Sequence, residues 1–279
     1  MLRTAEIDHF RTFGFVVLRG FLATYTGVLQ AEVDAAIRDA YGARYTERVV
    51  DGISGHYLLP MASRLTPVSA SLICDDDRLM DAAEDLLRGE VLPECPEGVL
   101  YFYEAGWHDD DGIGVHGVKF ATYFDALSAC NGALCFLPGS HHPDYGDRLD
   151  GFLRKRRTFD SDADPSERKR LVPSYVADTL PGDVLAFDLH TWHASFGGRD
   201  RLAWTIVFQR RPESDEQREK SLRSMHDSFG QSFRDFDRDR YPMWLDWIGG
   251  LASHPGRAKV LGRLRADGVL DVPGAEVGW

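Results

Sequence analysis

The first part of the chain has apolar residues at the spacing of amphipathic helices. Residues 5–22 predict a short helix followed by the β-branched strand FVVL. Apolar residues recur with a helical period over 24–42, and a third helix is predicted over 76–89, which opens with acids and closes with Arg-Gly. We therefore predict that residues 1–97 form a helical support for whatever follows.

The pattern then changes to short β-rich runs separated by Gly, Pro and Asp, over residues 98–210. These runs are GVLYFY, GVKFATYFDAL, GALCFLPG, GDVLAFDL and RLAWTIVFQ. Between them, residues 148–170 are charged and too polar for a core strand, so we interpret them as an irregular surface insertion. The basic run RKRR inside this insertion is surrounded by acids, which favours a solvated loop over a nucleic-acid contact.

The last part, residues 211–279, is predicted to be helical and polar except for the aromatic segment YPMWLDWIGGL at 241–251. The tryptophans of this segment need a partner surface. That partner is either the β core, in which case the segment caps a pocket, or a second subunit of a homodimer. The whole chain, 1–279, is predicted to be one α+β domain with a mainly β core and flanking helices.

Composition narrows the function classes. The formal charge is −12, from 32 Lys plus Arg against 44 Asp plus Glu, and this disfavours nucleic-acid binding, which needs a basic surface. The four cysteines form no CxxC pair, which is typical of reduced thiols. No apolar leader opens the chain, and no apolar run is long enough to span a membrane. We expect a cytoplasmic protein with a small-molecule substrate.

The stretch WHDDDG at 107–112 is the first candidate for chemistry. In an extended strand, residues i and i+2 face the same side, so His108 and Asp110 should converge on one point, while Asp109 faces away and Asp111 enters the turn. An imidazole and a carboxylate are two members of the 2-His-1-carboxylate triad that holds Fe(II). The pair therefore predicts part of an iron site.

The third ligand should be a histidine near the end of a later strand, and DLHTWHAS offers His190 and His193. His193 is better placed, because the small residues after it would leave a metal accessible. In a regular strand the two histidines point in opposite directions, so both cannot be ligands without a bulge.

Several motifs resemble, in order, those of the phytanoyl-CoA dioxygenase-like family of Fe(II)/2-oxoglutarate oxygenases, over about residues 8–210. They are DHFRTFGFVVLRGFL, GWHDDD, NGALCFLPGSHHP, PGDVLAFDLHTWHAS and RDRLAWTIVF. The resemblance implies a double-stranded β-helix (a cupin-like jelly roll) with flanking helices. It also implies Fe(II) held by His108, Asp110 and His193, with 2-oxoglutarate and O2 as cosubstrates.

The same resemblance assigns residues to 2-oxoglutarate. Arg201 begins the strand after the distal histidine and would grip the far carboxylate, to which a planar guanidinium is suited; Arg199, the competitor, is interpreted as a solvated loop residue. Ser195 takes the place of the hydroxyl of the family's HGS motif and could donate a hydrogen bond to that carboxylate, although Ala194 replaces the usual glycine. Lys119 is at a position where the family often presents a polar contact to the cosubstrate.

The implied reaction converts 2-oxoglutarate to succinate and CO2 while a C–H bond of the substrate is attacked. Asp110 occupies the position that related radical halogenases leave to a small residue, which favours hydroxylation over halogenation. Desaturation, epimerisation and ring formation stay open. His116, His141 and His142 are interpreted as structural or solvated residues.

Aromatic residues surround the metal motifs and suggest a partly apolar ligand, such as a natural-product intermediate. They are Tyr101, Phe102, Tyr103, Trp107 and Trp192. Packing within the barrel is the alternative explanation for them. Two other protein classes also stay open: a cupin-like iron enzyme that does not use 2-oxoglutarate, and a non-catalytic β-barrel that binds a ligand.

Overall fold

The computed structural model describes residues 1–47, 56–110, 114–155, 172–231, 236–241 and 255–271. The N-terminal elements are α1 (Thr4–Phe13), β1 (Phe15–Leu18), α2 (Thr26–Tyr41), α3 (Ala43–Glu47), β2 (His56–Pro60), α4 (Pro67–Cys74) and α5 (Arg78–Leu87). The three predicted helices and the strand FVVL are confirmed. Helix α1 ends where the sequence predicts, because Gly14 adopts a φ of 84° and its N–H donates to Phe10 O.

Three of these elements were not predicted. Helix α4 starts at Pro67, a residue that suits the first turn of a helix, but it is short and uniformly apolar, so no helical period stands out. Helix α3 spans only five residues. Strand β2 follows a segment outside the described residues.

The β core contains nine further strands. They are β3 (Val91–Pro93), β4 (Glu97–Tyr101), β5 (Ala105–His108), β6 (Gly117–Tyr123), β7 (Leu134–Phe136), β8 (Tyr175–Ala177), β9 (Val184–Asp188), β10 (His193–Ser195) and β11 (Arg201–Arg210). All five β-rich runs of the sequence contain a strand. The run RLAWTIVFQ forms β11, whose residues pair with β6 on one side and with β4 and β3 on the other.

The strands form two antiparallel sheets. The larger has the order β1-β9-β6-β11-β4-β2 with β3 beside β11, and the smaller has the order β5-β10-β7-β8. The inner faces of the two sheets pack on each other, as shown by the stacked rings of Phe15 and Phe136, whose centroids are 4.6 Å apart. This two-sheet arrangement with flanking helices is the jelly roll that the sequence predicted.

The helical support covers the outer face of the larger sheet. Val33 of α2 and Leu87 of α5 share one buried cluster with Trp204 and Phe208 of β11. Gly98 of β4 permits the close approach, since a Cβ at that position would lie 3.0 Å from a methyl group of Val33. Burial of this apolar surface holds the outer face of the sheet against α2 and α5, and the opposite face lines a cavity.

The interpretation of residues 148–170 as irregular was wrong for their first part. Helix α6 (Pro143–Lys155) covers it, and residues 156–171, with the second half of RKRR, lie outside the described residues. The helix begins with Pro143 and Asp144, both of which favour a helix start. Leu149 packs against the cluster around Trp107, and this tertiary contact outweighs the high charge of the segment.

The C-terminal part is helical where it is described, in α7 (Asp215–Gln231), α8 (Pro255–Ala266) and a 3-10 turn (Val269–Asp271). Of the aromatic segment 241–251, only Tyr241 belongs to the described residues. Its hydroxyl donates to Asp39 of α2 at 2.6 Å, so the segment starts beside the helical support. In the described ranges every helix is too short or too polar to cross a lipid bilayer.

Candidate metal centre

The pairing of β5 with β10 brings His108 and His193 together. The two residues are direct register partners in this antiparallel pair, and their ring centroids are 4.2 Å apart. Strand β10 also pairs with β7 on its other side, so His193 is fixed from both directions and is only 4% exposed. His108 is at the end of β5 and is more open.

Asp110 completes the cluster from the loop that follows β5. Its N–H donates to Leu189 O at 2.9 Å, which turns the chain back over the end of β9. One carboxylate oxygen, Oδ1, lies 3.6 Å from Nε2 of His108 and 3.6 Å from Nε2 of His193. Within the described residues, this is the single group of three or more potential metal ligands whose donor atoms all lie within 4.8 Å of one another.

Both imidazoles are oriented as metal ligands. Nδ1 of His108 is 2.7 Å from Gly106 O, and Nδ1 of His193 is 2.9 Å from Thr191 O. A carbonyl oxygen only accepts, so each Nδ1 carries the proton and each Nε2 presents its lone pair to the cluster. Burial, assisted by the neighbouring His108, lowers the pKa of His193 to about 3. His193 is therefore neutral near pH 7, as a ligand must be.

The other residues of the two sequence motifs are placed differently. His190, the competitor of His193, has its Nδ1 3.0 Å from Asp188 Oδ1 and lies outside the cluster. Asp109 is not a member of the cluster, and Asp111 lies outside the described residues. The structure thus brings together the three side chains that the sequence nominated, His108, Asp110 and His193.

Lys119 of β6 reaches the cluster from the larger sheet. Its Nζ lies 2.9 Å from Oδ2 of Asp110, and its side chain is 21% exposed. Burial opposes both charges. The attraction of Lys119 outweighs it for Asp110, whose pKa lies well below its usual range. Asp110 in turn raises the pKa of Lys119, so Lys119 is a charged residue of the inner wall.

Arg201 is at the far end of the same interior. Its Nη1 donates to Gly132 O at 2.9 Å and its Nη2 to Tyr103 O at 3.0 Å, while the buried Nε has no protein partner. A Cβ at Gly198 would lie 2.6 Å from that Nε, so the absence of a side chain there makes room for the guanidinium. Arg199, the alternative, is exposed in the preceding loop.

Ser195 is buried beside Arg201. Its hydroxyl donates to Gly132 O at 2.9 Å, the same carbonyl that accepts from Arg201. The two side chains therefore share one anchor on the backbone. The hydroxyl thus donates to Gly132 O and not into the cavity, so it would have to turn away from that carbonyl to donate to a carboxylate, as the sequence analysis expected.

One cavity joins the metal cluster to Arg201. It contains all six nominated residues, and its remaining lining residues are Tyr101, Ala105, Ala121, Tyr123, Leu134, Phe187 and Thr205. Tyr101 and Tyr123 lie 5.2 and 5.9 Å from the Arg201 guanidinium. Tyr123 and Thr205 were missed by the sequence analysis, although Tyr123 has the same strand parity as Lys119 and so faces the same side.

Most of the aromatic residues around the metal motifs pack away from this cavity. Phe102 makes an edge contact with Tyr57, and Trp107 and Trp192 are buried in a separate cluster behind the smaller sheet. Tyr103 is 54% exposed. Tyr101 alone of the five lines the cavity. The packing explanation was therefore correct for Phe102, Trp107 and Trp192, whereas Tyr103 is largely exposed to solvent.

The three other histidines considered in the sequence analysis lie outside the cavity. His141 has Nε2 3.2 Å from Arg11 O, which ties the end of α1 to the loop after β7. His116 and His142 are exposed. These placements agree with structural or solvated roles.

A jelly roll with a His-Asp-His cluster on its inner wall defines a non-haem iron oxygenase. Residues 10–201 match the phytanoyl-CoA dioxygenase (PhyH) family, and the chain belongs to that family. The resemblance noted in the sequence is thereby confirmed, and with it the class of Fe(II)/2-oxoglutarate-dependent oxygenase. No curated protein sequence matches the chain.

Solved structures with the same fold include three that are relevant to the site. EvdO2 from Micromonospora carbonacea var. aurantiaca, complexed with 2-oxoglutarate, is 18% identical with a TM-score of 0.53, over 77% of this chain and 93% of that chain. EctD from S. alaskensis, with 2-oxoglutarate and 5-hydroxyectoine, is 19% identical with a TM-score of 0.53, over 75% and 77%. The α-ketoglutarate-dependent carbocyclase SnoK from nogalamycin biosynthesis is 15% identical with a TM-score of 0.54, over 75% and 85%. At these identities the likeness shows a common fold.

Proposed function

We propose that the protein is a dioxygenase that hydroxylates an unactivated C–H bond of a small secondary metabolite, with release of succinate and CO2 from 2-oxoglutarate. The observation that carries this proposal is the equal 3.6 Å separation of Asp110 Oδ1 from both imidazole Nε2 atoms. This cluster shares a cavity with a buried arginine, as an enzyme that binds a dianionic cosubstrate beside its metal requires.

His108, Asp110 and His193 are proposed as the iron ligands. Their fit to a metal rests on the fixed tautomers, which aim both Nε2 lone pairs at the same carboxylate oxygen. Fe(II) bound there would supply the O2 chemistry, for which two imidazoles and one carboxylate leave open positions. The chain itself orients these ligands, with His193 buried and with His108 and Asp110 partly open to the cavity.

Arg201, Ser195 and Lys119 are proposed to receive 2-oxoglutarate. Arg201 has five N–H donors, and its two bonds to carbonyl oxygens leave others available to a carboxylate. Those two bonds also hold the guanidinium rigidly, which reduces the entropy lost when a ligand binds. Ser195 lies beside it, and Lys119 contributes a second positive charge near the metal end of the cavity.

A small-molecule substrate is supported by the cavity and by the solved structures that share this fold. The acidic surface disfavours nucleic acid. EctD was solved with 5-hydroxyectoine, and SnoK is named as a carbocyclase from nogalamycin biosynthesis. Hydroxylation is proposed over halogenation because Asp110 fills the carboxylate position. Ring formation is the second candidate outcome, because SnoK, which has this fold, is named as a carbocyclase.

The chain is further proposed to act as one domain, with the β core supported by helices on both sides. A homodimer through residues 241–251 stays a prediction, because that segment after Tyr241 lies outside the described residues. Size-exclusion chromatography with light scattering would decide it.

The reaction is tested by incubating the iron-loaded protein with 2-oxoglutarate, ¹⁸O2 and a panel of metabolites. We expect one panel member to raise succinate formation and to gain one labelled oxygen. A product that loses two hydrogens without gaining oxygen would replace hydroxylation by desaturation or ring closure. Turnover without any succinate would favour a cupin-like iron enzyme, and a wild-type protein without Fe(II) affinity would favour a non-catalytic ligand-binding barrel.

A further inference from the structure

The two oxygens of the Asp110 carboxylate face different partners. Oδ1 is equidistant from the two imidazole nitrogens at 3.6 Å. Oδ2 accepts a hydrogen bond from the Lys119 ammonium at 2.9 Å. The carboxylate is therefore divided between a metal-facing oxygen and an oxygen held by a cation.

Lys119 is well placed to hold that oxygen firmly. It lies on β6, between β9 and β11, where it pairs with Phe187 and Val207 in the middle of the larger sheet. Asp110, in contrast, lies in a loop just beyond the end of β5, and residues 111–113 lie outside the described residues. Lys119 thus connects a loop carboxylate to the most extensively paired part of the barrel.

The partnership with Asp110 accounts for the burial of Lys119. An ammonium group is strongly hydrated, and its removal from water costs several kcal/mol unless a counter-charge is in contact with it. Among the residues that the structure describes, Asp110 is the acid within hydrogen-bonding distance of Lys119 Nζ. Glu97 of β4 and His56 of β2 also face this interior. Each interacts with Lys119 only through longer-range charge.

We propose that Lys119 is a positioning residue that keeps Asp110 a one-oxygen metal ligand. With Oδ2 bonded to Nζ, the carboxylate presents Oδ1 alone, and the position that a second carboxylate oxygen would take stays open for cosubstrate or O2. This role rests on the proposed function, because it requires a metal at His108, Asp110 and His193. It is separate from a contact between Lys119 and 2-oxoglutarate, which uses other donors of the same ammonium group.

The proposal is tested on the Mn(II)-loaded protein without cosubstrate by electron paramagnetic resonance. The broadening of the Mn(II) lines in H2¹⁷O counts the exchangeable waters bound to the metal. A one-oxygen aspartate and two imidazoles leave about three water positions on a six-coordinate metal. We expect about three waters in the wild type and about two in Lys119→Met, since the released Oδ2 can close onto the metal. Lys220→Met, which removes a surface lysine paired with Glu216, changes net charge equally and should keep the wild-type count.

An unchanged water count in a folded Lys119→Met protein would overturn the proposal, even if its affinity for 2-oxoglutarate falls, because Lys119 would then serve the cosubstrate alone. If the variant does not fold, the Mn(II)-loaded wild-type crystal structure decides. Asp110 bound through one oxygen with Lys119 on the other supports the proposal, and two-oxygen binding contradicts it. If the wild type binds Mn(II) no better than His193→Ala does, the proposed function itself is contradicted.

Discussion

His108 and His193 are held in the same way: each directs its Nδ1 at the carbonyl oxygen of the residue two positions earlier in the chain, at 2.7 and 2.9 Å. The two strands are antiparallel and the residues are register partners, so the same local bond on both strands turns the two Nε2 atoms toward one another. The backbone at β5 and β10 therefore determines the orientation of the two imidazoles without any further side chain.

Replacement of His193 by alanine should abolish tight metal binding. Loss of an outer-sphere partner alone typically costs about 10- to 100-fold in metal affinity, so loss of a ligand should exceed this range. Isothermal titration with Mn(II) under anaerobic conditions measures it. The control is His190→Ala, three residues away and bonded to Asp188 instead, which should bind Mn(II) as the wild type does. Equal losses in the two variants would contradict the assignment of His193.

Replacement of Arg201 by glutamine should weaken 2-oxoglutarate by at least about 30-fold, because loss of one partner of a buried charge pair costs about 2 kcal/mol or more. Mn(II) affinity without cosubstrate should stay unchanged, since Arg201 lies at the other end of the cavity, where its guanidinium donates to Gly132 O and Tyr103 O. Arg199→Gln, on the exposed loop, is the matched control. If Arg199→Gln shows the loss and Arg201→Gln does not, the cosubstrate arginine has been misassigned.

Gly198→Ala tests the space around the guanidinium. The added methyl group would lie 2.6 Å from Arg201 Nε and 2.7 Å from the Gly132 Cα atom, so Arg201 or the backbone must move. We expect a loss of about 1 to 3 kcal/mol in unfolding free energy, as for an overpacked core, together with weaker 2-oxoglutarate binding. Gly27→Ala in α2, whose Cβ would meet nothing within 4 Å, should be neutral or stabilising. If Gly198→Ala bound 2-oxoglutarate with wild-type affinity, Arg201 would be free to move, which would contradict its tight packing.

Glu97 gives the apoprotein a defined pH dependence. Burial raises the pKa of Glu97 from 4.5 to about 7, with Lys119 opposing and Glu94 adding to the shift. A raised folded-state pKa means that the folded protein binds the proton more tightly. The resulting stability is present below pH 4.5 and is lost as the pH rises through about 7.

Glu97→Gln should therefore match the wild type in acid and exceed it in unfolding free energy at about pH 8. The gain is at most about 3 kcal/mol, because one pKa unit corresponds to about 1.4 kcal/mol and the half-buried group is partly screened. Urea unfolding of the metal-free proteins at both pH values measures the difference. A gain that is the same at both pH values would contradict the shift.

The chain's helical periods predicted α1, α2 and α5 well, and its short β-rich runs predicted the β core. The jelly roll itself was implied by the resemblance to the phytanoyl-CoA dioxygenase-like family. Helix α6 escaped, since its burial depends on a contact of Leu149 with a distant cluster. In the site, the i/i+2 rule placed His108 beside Asp110 from local geometry alone. The bond between Lys119 and Asp110 joins the larger sheet to the loop after β5, and no local pattern encodes which of its neighbours a buried ammonium will contact.

The central claim is that this cavity binds Fe(II) and 2-oxoglutarate together, and anaerobic absorption spectroscopy tests it most directly. The protein is titrated with Fe(II), then with 2-oxoglutarate, and the visible charge-transfer band of the chelate is followed. We predict that the band appears in the wild type, saturates at one equivalent of each, and is absent from His193→Ala. A wild-type protein that binds Fe(II) yet develops no band with 2-oxoglutarate would contradict the account.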